Sequence, residues 1–274
     1  MTEQLTERPA EAVAPAAAPA VTVPGRTRRV LWAVARWTVA VVVCGGVGAG
    51  TAMGITALDR NDVPGLATES DGRWEYPPLR LPALPADRPR PFTEGNEGEI
   101  HYADVRQLLL PAPTGATVDP KVNGGWVSDE AYLEGFGKEE RARVRQVLDD
   151  TALHHIAGRA WTMADGTKTR VLLLKFSSVA YADQMYRSLA GDGVEVLPAG
   201  VTEMEILDRV AGDVRVPNVS AYAYGETKPY GPDQTLWAYV TAGDTLAVIT
   251  QTRKGEALAV PFQQTVVLQA QLLG

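Results

Sequence analysis

The sequence predicts an α+β domain carried on one transmembrane helix: an antiparallel sheet with helices on one face, built from two hairpin-helix units. Three observations predict it. Ala164-Asp165-Gly166 and Ala242-Gly243-Asp244 each separate two runs rich in β-branched and aromatic residues, which is hairpin chemistry. A stretch of helical period follows each hairpin. Trp37 to Leu58 is 22 residues without a charge, about 33 Å as a helix and long enough for the hydrocarbon core.

The elements follow in chain order. Residues 1–29 are rich in Ala, Pro and Glu without apolar period and read as a disordered cytoplasmic tail. Residues 30–58 read as the anchor. Arg26, Arg28, Arg29 and Arg36 precede the apolar run, so the positive-inside rule puts the N-terminus in the cytoplasm and the C-terminal domain outside. Trp32 and Trp37 fall where an interfacial belt belongs. The run exceeds the roughly 7–15 residues of a signal-peptide core, which favours an uncleaved anchor. Gly46, Gly50 and Gly54 share one helix face, the spacing of close helix pairing and a candidate homodimer contact.

Residues 59–97 hold seven prolines and read as a stiff, extended spacer. The folded domain is expected over 98–274. Within it, Tyr102–Leu110 reads as a short helix capped by Asp104 and stopped by Pro111, Ser128–Phe136 as a helical turn, and Lys138–Asp150 as a helix. Ile156–Met163 and Thr169–Phe176 form the first hairpin. A helix capped by Ser177 or Ser178 runs to Ala190, with Ala182, Met185 and Leu189 as its apolar stripe. Val194–Leu197 reads as a strand, as does Val219–Tyr224. Thr235–Thr241 and Thr245–Thr252 form the second hairpin, and Pro261 opens the last helix. Asn123-Gly124-Gly125 reads as a turn.

Composition narrows the function. The chain carries 26 Lys and Arg against 33 Asp and Glu, for a net charge of −7, and everything after Ala57 is acidic in balance. That argues against nucleic acid, whose phosphates need clustered cations. A single cysteine, Cys44, excludes a disulfide framework and a multi-cysteine zinc site. No hydrolase elbow, phosphate loop, zinc-protease helix or calcium loop occurs. No cofactor is expected. His154 and His155 are adjacent, so a strand would point them to opposite faces, and neither has an evident orienting partner.

One constellation stands out. Tyr222 and Tyr224 share one strand face, Trp237 and Tyr239 share one face of the next strand, and Tyr230 lies in the loop between. Paired strands would gather them into an aromatic group. At the surface it would suit sugar or protein contact; beneath the helices it would be core.

The phrase Tyr102-Ala103-Asp104-Val105-Arg106-Gln107-Leu108-Leu109-Leu110-Pro111, together with Trp161, Asp165-Gly166-Thr167 and Leu172-Leu173-Leu174-Lys175-Phe176, resembles uncharacterised membrane-anchored envelope proteins of high-GC Gram-positive bacteria. Twenty Arg against six Lys agrees with a GC-rich genome. The resemblance implies an anchor, a Pro-rich spacer and an α+β domain, and brings no functional residue with it. The reading is therefore a single-pass, non-enzymatic membrane protein whose outer domain binds a protein or envelope polymer. The alternatives are an envelope enzyme working through carboxylates or His155, and an assembly component dimerising through its membrane helix.

Overall fold

The computed structural model describes residues 31–32, 34–44, 46, 71–191, 193, 195–208, 210 and 214–274. The chain divides into two units, Met1–Glu69 and Ser70–Gly274. In the first, the described residues are helical and leave Leu31, Trp32, Trp37, Val39, Val41 and Val42 exposed. Among the described residues no helix is long and apolar enough to cross a membrane. The predicted tail, most of the span's second half including Gly50 and Gly54, and residues 59–70 of the predicted spacer lie outside the described residues. Gly46 lies in the helix with open space where a Cβ would stand.

The second unit is α+β. Its elements are a 3-10 turn (Val105–Leu108), β1 (Thr117–Val127), α1 (Asp129–Leu133), α2 (Arg141–Asp150), β2 (Leu153–Thr162), β3 (Lys168–Phe176), α3 (Val179–Ala190), β4 (Glu205–Ile206), β5 (Val219–Gly225), β6 (Asp233–Ala242), β7 (Thr245–Lys254) and α4 (Ala259–Leu273). The seven strands form one sheet in the order β1-β2-β3-β7-β6-β5-β4, antiparallel throughout. The two predicted hairpins are β2–β3 and β6–β7, and the β3–β7 pairing from Lys168↔Thr252 to Lys175↔Thr245 joins them.

Strand alternation feeds two cores, one on each face. Val171, Leu173, Ala238, Val240, Ala247 and Ile249 meet Phe262, Val266 and Ala270 of α4. Leu172, Leu174, Trp237, Tyr239, Leu246 and Val248 meet Tyr132 of α1, Val144 and Leu148 of α2, and Ala182, Met185 and Leu189 of α3. The helices therefore cover both faces, which corrects the expectation of one helical face. The reason lies in the central strands: β3 and β7 are apolar at both parities, as a sheet buried on both sides must be.

Several local expectations change for clear reasons. Tyr102–Leu110 shortens to a four-residue 3-10 turn, although Asp104 does cap it through Arg106 N. Residues 195–197 form no strand. The sequence reading missed β1, because Pro120 and Asn123-Gly124-Gly125 resemble a loop. In the structure they sit in an edge strand whose register shifts on both sides of Asn123, with Gly124 at φ +78°. Both residue types are tolerated there, since an edge N–H has no partner to lose and a glycine takes the positive φ that this irregularity uses at Gly124.

The largest correction concerns the spacer, since residues from 71 onward belong to the folded unit. Trp74, Tyr76, Leu79 and Phe92 pack on the α4 core. Side-chain amides of α4 bind this chain as a neighbouring strand would. Gln264 accepts from Trp74 N and donates to Trp74 O, both at 2.8 Å. Gln269 accepts from Leu110 N and donates to Leu108 O, both at 2.9 Å.

A buried ionic knot closes this strap. Asp244, in the β6–β7 turn, is wholly buried. Its carboxylate accepts from His101 N (3.2 Å), His101 Nδ1 (2.8 Å), Thr245 Oγ1 (3.0 Å) and Lys175 Nζ. His101 Nε2 reaches Leu273 O at the end of α4, 2.9 Å away, and Lys175 Nζ also donates to His101 O. Burial pushes the Asp244 carboxyl up, but the hydrogen bond from His101 and the charge and hydrogen bond of Lys175 outweigh it, so the net shift is downward. A carboxylate shifted this way stabilises the fold above its unfolded value of 3.8 and stops doing so as pH falls through the lower folded value. The midpoint of chemical unfolding should therefore drop as pH falls below about 4. Asp244→Asn should cost roughly 3 kcal/mol at pH 7, because it leaves Lys175 without its buried partner, and should flatten that acid dependence. Equilibrium denaturation at several pH values measures both.

Candidate functional site

The α1–α3 face of the sheet is not filled evenly. A cleft of about 200 Å³ opens between the sheet and a roof made by the end of α1 and residues 135–136 and 198–199. The roof is laced together: Ala199 N donates to Gly135 O at 2.8 Å, and Phe136 forms a bridge with Pro198. Register makes the floor, with Arg170 opposite Thr250, Trp237 opposite Thr250, and Leu172 and Tyr239 opposite Val248.

Most of the lining is apolar, but its polar groups are unusual. The Tyr132 side chain is 1% exposed, and its hydroxyl has no hydrogen-bond partner among the described residues. Arg170 donates from Nη2 to Ala131 O at 3.0 Å, while its Nε is buried without a partner among the described residues. No carboxylate lies within ion-pair distance of Arg170 among the described residues. A buried donor without a partner costs about 1–3 kcal/mol. Both donors belong to residues that line the cleft, and unpaired buried donors of this kind are rare in folded proteins.

Burial sets the protonation of these groups. It pushes the Tyr132 phenol well above its ordinary range, as does the proximity of Tyr239, against a smaller opposing effect of Arg170. It lowers the Arg170 guanidinium from its ordinary value, while Glu134, Asp119 and Tyr132 raise it. Tyr132 is thus a neutral donor throughout the accessible pH range, and Arg170 remains a cation at neutral pH.

The predicted aromatics arrange themselves in a graded series. Tyr222 pairs with Tyr239 and Tyr224 with Trp237 across β5–β6. Tyr222 is 37% exposed and stacks on Tyr186 of α3 with centroids 4.2 Å apart. Tyr186 meets Tyr239 edge-on, and Tyr224 lies against both Trp237 and Tyr239. Tyr224, Trp237 and Tyr239 are buried, and the last two line the cleft. Tyr230 stands apart, donating to Glu203 and bonded to Thr227.

The histidines go elsewhere. His101 is tied into the Asp244 knot. His155 is exposed, its ring tilted against Trp126 at 4.7 Å, and Arg106 lies over Trp126 while paired to Asp104. Among the described residues no three His, Cys, Asp or Glu side chains gather as a metal site would require.

Sequence reasoning named Trp237 and Tyr239 but missed Tyr132, Arg170, Thr250 and the roof. A signal for Arg170 was available: in β3 it shares its parity with Leu172, Leu174 and Phe176, so the face that buries these leucines also receives a cation. Tyr132 carried no such signal, because its helix has only five residues.

The unpartnered hydroxyl makes a signed prediction. In protein free of bound small molecules, Tyr132→Phe should leave stability unchanged or raise it by up to about 1 kcal/mol, since it removes a desolvated group that bonds to nothing. Denaturant titration checks this, and a loss above 1 kcal/mol would show that the hydroxyl is satisfied within the protein.

No protein-family model matches the chain, and no curated protein matches it. Among solved structures, the crystal structure of the extracellular domain of PknH from Mycobacterium tuberculosis is a partial likeness at 10% identity, covering 57% of this chain and 77% of that one with a TM-score of 0.28. A likeness of that size carries no argument about fold or function.

Proposed function

We propose that this chain is a single-pass envelope protein of a high-GC Gram-positive bacterium, whose outer domain binds a small ligand and carries out no covalent chemistry. The cleft beneath α1 carries this reading. It is formed by one helix, three strands and two loops, it is mostly apolar, and two of the residues lining it carry donors without a partner among the described residues. An apolar pocket with a few convergent polar groups is the usual form of a small-molecule site. Among the described residues its lining holds no carboxylate, imidazole or thiol, the groups that general acid-base and most nucleophilic catalysis use. The orientation rests on the arginines before the uncharged run and on the exposed apolar helix residues described there.

Two experiments test the proposal. The full-length protein purified from its native membranes should release a small molecule on solvent extraction that a plugged variant, Thr250→Trp, lacks. Identical extracts from both, by mass spectrometry, would remove the binding reading. Separately, protease added to intact protoplasts should destroy the C-terminal domain and spare an N-terminal epitope. Protection of the domain would reverse the topology.

A further inference from the structure

The cleft's chemistry restricts what can occupy it. We infer that its ligand is a small monocarboxylate with an apolar body, the carboxylate bound by Arg170 and Tyr132 and the body held against Trp237, Leu172 and Val248. The inference rests on the ligand-binding reading above and assigns that site its ligand class.

Four observations converge. The first is the donor set. Arg170 Nε and Tyr132 Oη are both buried, both without partners among the described residues, and both belong to residues lining the same space. An ionised acceptor satisfies both donors at once, whereas a neutral acceptor would leave the half-buried guanidinium without a counter-charge in the cleft. The second is the charge count. Among the described residues Arg170 is the only charged one in the lining, and Glu134 and Asp119 bear on it from outside. One guanidinium in a mildly negative field matches one negative charge, which favours a carboxylate over a doubly charged phosphate.

The third observation is the hydroxyl inventory. Of the three lining threonines, Thr235 and Thr252 bond one another at 3.1 Å, so the lining does not offer the wide polar rim that a sugar needs. The fourth is size. At about 200 Å³ the cleft falls below the roughly 300–1,000 Å³ of sites for drug-sized molecules, so it suits a head group with one ring or a short alkyl chain. A free acid and the carboxyl terminus of a peptide ending in an apolar residue present the same chemistry, and the experiment must separate them.

The test is calorimetric titration of the full chain in a non-ionic detergent at pH 7, with defined probes. These are 3-phenylpropanoate, its neutral amide, phenyl phosphate, indole as an uncharged filler, and acetyl-alanyl-phenylalanine as a peptide terminus. The acid should bind at least tenfold more tightly than its amide, and more tightly than phenyl phosphate. In Arg170→Met the acid-to-amide ratio should fall to within twofold, and Arg170→Lys should retain part of it. Tyr132→Phe should weaken the acid severalfold and leave indole unchanged.

An amide as tight as the acid, or an acid indifferent to Arg170→Met, overturns the inference. So does tighter binding of phenyl phosphate. If indole binds and the acid does not, the anion assignment fails while the pocket stands; if no probe binds, both fail. Should Arg170→Met not fold, the wild-type acid-to-amide ratio and Arg170→Lys decide the same question. Tighter binding of the peptide than of the free acid assigns the site to a chain terminus, and the reverse to a free small molecule. Either result supports the carboxylate.

Discussion

Everything in the folded unit depends on the antiparallel pairing of β3 with β7. It joins two hairpins that are each local in sequence, and it brings residues 70 to 84 positions apart into register, from Lys175↔Thr245 to Lys168↔Thr252. Each hairpin alone would be marginal in water. Once joined, they form a four-stranded centre whose side chains point alternately to two cores. Val171, Leu173, Ala247 and Ile249 supply one, and Leu172, Leu174, Leu246 and Val248 the other. The helices, the strap from residue 71 and the cleft are all attached to this centre. The same pairing sets Arg170 beside Thr250, so the register that builds the core also places the cation in the cleft.

The parts of this fold that could be read from sequence were those with local causes. The Asp165-Gly166 and Gly243-Asp244 turns fixed both hairpins, and the Ala182, Met185, Leu189 stripe fixed α3 and its buried side. Strand parity put Tyr222 with Tyr224 on one face and Trp237 with Tyr239 on one face, though not the register that pairs Tyr222 with Tyr239. What could not be read depended on contacts distant in sequence. Pro-rich residues 71–97 have the composition of a free linker, and what ties them into the domain lies far along the chain: Gln264 of α4, 190 positions later, binds Trp74, and Tyr76 bonds Thr265. Nothing near His101 in sequence marks its role, because its partner Asp244 is 143 residues away. Which face each helix covers is likewise a tertiary choice, made where both parities of a strand are apolar.

The candidate site shows the same division. Its aromatic walls were visible as a pattern in β5 and β6. Its donors were not, since Tyr132 and Arg170 become unusual only when burial removes them from water and nothing in the protein replaces it. The strap and the cleft also lie on opposite faces of the sheet. The ionic knot at Asp244 and the unpartnered donors near Arg170 are therefore separate electrostatic environments, the first internally satisfied and the second open to an outside acceptor.

The outer strands bear on how copies of this protein behave at high concentration. An open sheet ends in two rows of free backbone groups, and like molecules can stack through them. Here one border, β4, is only two residues long. At the other, Pro120 withholds an N–H, exposed Asp119 and Lys121 flank it, and the shifts around Asn123 bend the line that a second molecule would have to match. The irregularity that hides β1 from sequence reading thus keeps the sheet from growing beyond its own chain, so that many copies can stand side by side without polymerising.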